Sequence, residues 1–178
     1  VLISTAIPLP IVVPLLSVDQ LGPYMQAIGV APKQAERSAL GVLPQHIADR
    51  FGWEELASIT ATAWRSLTDD ERRSAIIVGD NYGETGAVNY YGRALGLPAA
   101  VSQHNSFYLW GPGNTTATVV ITIGQSVEDL RGSFEEVQPV GGMTDPFAMP
   151  YERADPVAIC RRPKRPLMVL WVEGKKFI

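Results

Sequence analysis

Three short polar clusters in this sequence each follow an apolar or β-branched run. Asp80, Asn81, Tyr82 and Glu84 come after AIIV at 75–78. Gln103, His104, Asn105 and Ser106 come after 99–102, with Tyr108 and Trp110 just beyond, and Gly124 and Gln125 come after TVVITI at 118–123. Amides and carboxylates bond hydroxyl groups, while aromatic faces stack on C–H surfaces. A rim built from Asn81, Tyr82, Glu84, His104, Asn105 and Trp110 would therefore suit a hydroxyl-rich ligand. His104 beside a carboxylate such as Glu84 is also the pairing a general base requires. Each residue has a structural alternative: Asp80 and Asn81 suit a helix cap, Glu84 suits the positive end of a helix dipole, Asn105 and Ser106 suit a local turn, and His104 suits a hydrogen-bonded core position.

Several chemistries are excluded by what the clusters lack. The first strand candidate leads into GDNYGETGA, which is neither the GxGxxG of a dinucleotide site nor a GxxxxGK[ST] phosphate loop. There is no GxSxG elbow for a hydrolytic serine. Cys160 is the single cysteine, and His46 and His104 are the only histidines, with no HExxH between them. No metal and no cofactor are expected.

The elements that must position these clusters follow from periodicity. Val18 to Ile28 reads as a short helix stopped by Gly29. Trp53, Leu56, Ala57, Thr60, Ala63, Trp64 and Leu67 recur at three-and-four spacing, which predicts a helix with one buried face on which both tryptophans act as core anchors. Thr68 and Glu71 make a capping box, as do Ser126 and Asp129. Strands are predicted at 75–78, 99–102, 118–123, 136–140 and 157–160, with helices at 82–95 and from Ser126 to about Phe134. Leu167 to Val172 fits strand or helix equally, because a short apolar run does not reveal its period.

This alternation predicts an α/β domain, Rossmann-like in its layering, with a mostly parallel sheet preceded by a helical segment. Ligands in such sheets collect beyond the carboxyl ends of the strands, where all three clusters would lie. The expected organisation is an apolar lead at 1–16, a helical segment at 17–74 and the α/β part at 75–178, with 17–178 as one compact unit. A content of 46% hydrophobic residues in 178 is ample for a core.

A net charge of −3 with 19% charged residues gives no electrostatic basis for nucleic-acid binding. The one basic cluster, Arg161, Arg162, Lys164 and Arg165, is interrupted by Pro163 and Pro166; it suits a solvated loop or a contact to phosphate or lipid headgroups. Val1 to Leu16 carries no charge but is shorter than a membrane span and contains Pro8, Pro10 and Pro14. Two origins fit it: the end of a last transmembrane helix, or an extended segment packed on the domain's own core.

Two stretches, GDNYGETGAVNYYGRALGLP at 79–98 and SQHNSFYLWGPGN at 102–114, resemble the C-terminal soluble domain of many bacterial family 39 glycosyltransferases. LPQHIADRFGWEELA at 43–57 and Met149-Pro150-Tyr151-Glu152 are similar to the same proteins. The resemblance implies an extracytoplasmic, periplasmic domain of a multi-pass inner-membrane enzyme related to protein mannosyltransferases and aminoarabinose transferases, which uses a polyprenyl-phosphate sugar donor. It implies that the catalytic acid lies among early membrane helices, so no catalytic residue is placed on this chain and the isolated domain is expected to be inactive. The implied partners are the membrane portion of the same polypeptide and a sugar or glycolipid acceptor at the rim. Two other roles stay open, a scaffold that packs on the transferase's membrane part and an independent soluble sugar-binding protein.

Overall fold

The computed structural model describes residues 6–13, 15–30, 41, 43–154 and 156–177. The chain divides into two compact units, Val1–Phe51 with Pro146–Tyr151 and Gly52–Asp145 with Glu152–Ile178. The division falls between Phe51 and Gly52, ahead of the tryptophan-bearing helix.

The first unit contains α1 (Leu9–Val12), α2 (Val18–Ala27) and α3 (Gln45–Ala48). Gln20 Oε1 accepts the Ser17 N–H at 3.2 Å, tying down the start of α2, and the chain leaves the helix through Gly29 at φ +73°. Leu21, Met25, Leu43, Ala48 and Met149 form its core. The apolar lead lies partly outside the described residues; within the described part, α1 is a helical turn. Among the described residues no helix is long and apolar enough to cross a membrane.

The second unit carries the sheet. Its elements are α4 (Trp53–Ser66), α5 (Asp69–Ser74), β1 (Ile76–Gly79), α6 (Tyr82–Tyr91) running into a 3-10 turn (Gly92–Leu95), β2 (Val101–Ser102), α7 (Ser106–Leu109), β3 (Val119–Ile123), α8 (Val127–Ser133), β4 (Phe134–Gly141), α9 (Pro150–Ala154), whose first two residues belong to the first unit, β5 (Val157–Pro163) and α10 (Leu167–Glu173). The strand order is β2-β1-β3-β5-β4. β1 pairs parallel with both β2 and β3, whereas β5 runs antiparallel to β3 and to β4. Four strands therefore share one direction and β5 alone is reversed. The expected α/β layered architecture is present, with a mixed sheet.

Side chains alternate across this sheet as the pleat requires. Ile77, Ile121, Ile123 and Ile159 point to one face and pack with Leu56, Ala63 and Val88 from α4 and α6. Val120, Ala158 and Cys160 point to the other and pack with Leu130 of α8 and Leu167 of α10. Burying each such isoleucine contributes about 1.5–3 kcal/mol, so both layers of helices are held on by the strands' own alternation. Trp53 and Trp64 are partly buried against the first core, as their spacing predicts. The ambiguous run at 167–172 is helical and begins directly after Pro166, whose fixed φ suits a helix start.

Candidate functional site

The carboxyl ends of β1 and β2 bring four of the six candidate residues together. Asn81 ends the β1 loop as the N-cap of α6: its Oδ1 accepts the Glu84 N–H at 2.9 Å, and Glu84 Oε2 accepts the Asn81 N–H at 3.1 Å. This is a reciprocal capping box, which satisfies two amide donors that the helix cannot. The Asn81 amide also donates to Glu152 Oε1 at 3.5 Å. The Tyr82 N–H donates to His104 Nδ1 at 3.3 Å, and the two rings lie 5.0 Å apart. With Nδ1 accepting, a neutral His104 carries its proton on Nε2.

This cluster faces inward. Glu84 is 3% exposed and His104 6%, while the Tyr82 ring is about half exposed. Burial pushes the Glu84 carboxyl well above its ordinary range; the negative charges of Glu152 and Asp80 push the same way, against the opposing hydrogen bonds from the backbone N–H groups of Asn81 and Asp80. Gly124, at the end of β3 with φ +72°, lies directly against that carboxyl, and a Cβ there would overlap Oε1. The structural alternatives for Asn81 and Glu84, a cap and its first-turn acid, are both realised.

The other two candidates are placed differently. Asn105 sits at φ +49° and its N–H donates to the Lys176 carbonyl at 2.8 Å, while the Lys176 N–H donates to the Gln103 carbonyl at 3.0 Å. The last residues thus run alongside the end of β2. Trp110 packs edge-on against Phe107 at 4.4 Å and is otherwise turned to solvent, 72% exposed.

A cavity of about 560 Å³ opens on the other side of Gly124, between the sheet and helices α8 and α10. Its floor is apolar, from Ile76, Val78 and Val120 of the strands and Leu130, Leu170 and Trp171 of the helices. Its rim is polar, from Asp80, Gln103, Gln125, Ser126, Asp129 and Lys176. Lys176 Nζ pairs with Asp80, and Gln103 Nε2 donates to the carbonyls of Leu170 and Trp171 at 2.8 and 3.2 Å, so these two side chains fix the walls. Gly124 and Asp80 join the two features: each lines the cavity, and each stands beside the buried carboxyl cluster.

This cavity runs along one face of β1 and β3, from Ile76 and Val120 near their starts to Asp80, Gly124 and Gln125 just beyond their carboxyl ends. Those neighbours are the point at which the strand order reverses, where open α/β sheets place their ligands. Of its lining, the sequence singled out Asp80, Gln103, Gly124 and Gln125 as loop residues. It missed Leu170, Trp171 and Lys176, because the period of the 167–172 run was not legible, and it read Ser126 and Asp129 only as a cap. That cap is real, with Ser126 Oγ accepting the Asp129 N–H at 3.1 Å.

Among the described residues no group of three or more His, Cys, Asp or Glu is placed to hold a metal ion. Comparison with protein-family models, with curated proteins and with solved structures found no match.

Proposed function

We propose that this chain is the extracytoplasmic domain of a polyprenyl-phosphate-dependent family 39 glycosyltransferase, and that its α/β unit holds the sugar or glycolipid acceptor rather than performing the transfer. The observation that carries the proposal is the cavity at the β1/β3 reversal, with an apolar and aromatic floor beneath a rim of amides, carboxylates and a hydroxyl. A sugar presents C–H faces and hydroxyl edges, and those are the two chemistries of floor and rim. On this reading Gln125 and Asp129 bond hydroxyls, and the buried Trp171 ring, stacked on Tyr108, forms part of the floor. Asn81, Glu84 and His104 act from behind Gly124, holding the loops in position. On this proposal the membrane portion of the same polypeptide supplies the donor site and catalytic acid, on the periplasmic side of the inner membrane.

Saturation-transfer NMR with methyl glycosides and phosphoglycans tests binding directly. Signals are expected with the wild-type chain and should fade with Gln125→Ala and Asp129→Asn; an absence of transfer from every sugar would sink the binding role. A second proposal, a scaffold that docks on the membrane part, is favoured by how completely Asn81, Glu84 and Tyr82 are engaged with neighbouring groups. In that case Gln125→Ala and Asp129→Asn would leave transfer by the full-length enzyme unchanged.

A further inference from the structure

Charge in this chain is segregated. Residues 161–177 hold six basic side chains and one acidic one, in a protein whose net charge is −3. Arg161 and Arg162 are spent in ion pairs with Glu71, Glu135 and Glu136, and Lys176 in one with Asp80. Lys164 and Lys175 are not: Lys164 Nζ donates to the Arg131 carbonyl, and Lys175 Nζ stands 5.1 Å from the Tyr108 ring centre and 4.7 Å from that of Phe177. The single acid, Glu173, is paired with Arg165.

The same region exposes apolar side chains. Met168 and Val172 are one turn apart on the outer face of α10, and each is at least half exposed, as are Phe177, Leu109 and Trp110. These come from separate parts of the sequence but from adjoining elements. The Tyr108 ring stacks on Trp171 at 5.5 Å, nearly parallel, and meets Phe177 edge-on at 6.0 Å, which sets α7, α10 and the last residues side by side. Soluble surfaces seldom gather so many large apolar groups without a use for them.

We propose that this face, α10 with its flanking lysines and the α7 and Phe177 side chains, docks on the surface of an anionic phospholipid bilayer. Charge complementarity selects that occupant. Apolar and aromatic tips enter the headgroup boundary while lysine stems lie along them and hold their ammonium groups at the phosphate level. Each lysine near such a surface is worth roughly a fivefold gain in partition, so two lysines together set a clear dependence on lipid charge and on salt. The inference is independent of any ligand in the cavity, and its failure would leave the NMR result above untouched.

Flotation of the 178-residue chain with vesicles of phosphatidylcholine alone and of an equimolar mixture with phosphatidylglycerol tests it. Binding should favour the anionic vesicles by about tenfold or more and fall at high salt. Lys164→Glu/Lys175→Glu should abolish that preference, and Met168→Ser/Val172→Ser should weaken binding to anionic vesicles by about tenfold from lost apolar insertion. All four side chains are exposed, so unchanged circular dichroism is expected and confirms that the variants are folded. Fluorescence of Trp110 should shift to shorter wavelength on anionic vesicles, and Trp110→Ser should remove most of that shift. Equal binding to both vesicle types, or binding that both double variants retain, would show that another segment such as the apolar lead is responsible and overturn the proposal. A self-association abolished by Met168→Ser/Val172→Ser, without vesicle binding, would reassign the face to contact between copies and overturn it equally.

Discussion

Gly124 lies against the carboxyl group of Glu84 so closely that any side chain on it would occupy the space of Oε1. One residue comes from the end of β3 and the other from the first turn of α6, and their contact forms the partition between the buried acidic cluster and the open cavity.

Gly124→Ala should be much more harmful than the same change at Gly96. Both glycines have positive φ, which costs a non-glycine residue roughly 1–2 kcal/mol. A Cβ at Gly96 meets nothing within 4 Å, whereas at Gly124 it overlaps the buried carboxyl, adding roughly 1–3 kcal/mol of overpacking. Urea unfolding of the two variants should show that difference; equal losses would mean that Glu84 can move aside freely.

The stability contribution of Glu84 should fall as pH rises. Its folded carboxyl titrates well above the ordinary value of 4.5, so the native state holds a proton that the unfolded chain has already released. Folding then takes up a proton above about pH 4.5, and stability declines by at most about 1.4 kcal/mol per pH unit until the folded group ionises. Glu84→Gln keeps a neutral acceptor for the Asn81 N–H and removes this decline. Urea midpoints measured at pH 5 and pH 8 should therefore improve for the variant relative to wild type as pH increases; a constant difference would refute the buried-acid account.

Glu71 should behave in the opposite sense. The Arg161 guanidinium holds its carboxyl below the ordinary range, helped by the Thr68 N–H. A depressed folded value means stability that is present above about pH 4.5 and disappears as pH falls through the folded value. Glu71→Gln should cost about 1–3 kcal/mol at neutral pH, from the charge-assisted bond and the weakened cap, and progressively less in acid. Chemical unfolding at pH 7 and pH 3 checks both the size and the direction.

Cys160 should be inert in the folded protein. It is fully buried on β5, and burial pushes its thiol up to about 11, with only a weak contact at 3.7 Å to the Thr122 hydroxyl. Since the thiolate is the reactive form, labelling by iodoacetamide at pH 8 should proceed only at the rate of unfolding. Prompt labelling without denaturant would show that the β3/β5 region opens locally.

Much of the frame is legible from the chain alone because its signals are local. The spacing from Trp53 to Leu67, the Thr68–Glu71 box and the β-branched run at 118–123 each give the element observed. Asn81 announces a cap in its own neighbourhood, and its bonds to Glu84 realise it. What was not legible depends on distant partners. Nothing within 157–163 states that β5 runs opposite to β3, since strand direction is set by where the chain re-enters the sheet. The cavity wall was hidden for a related reason: Leu170 and Trp171 show which side faces inward only once the strands they cover are in place.

The reversed position of β5 has a bearing on how the molecule is made. β4 has no ladder with β3; both are joined solely through Val157–Pro163, which is synthesised after the other four strands of the sheet. Until that segment arrives, a nascent protein holds two raw strand borders facing a gap one strand wide, an invitation to mispairing. Completion of the sheet is therefore a late insertion, and chains ending before residue 157 should accumulate as aggregates rather than as smaller folded domains.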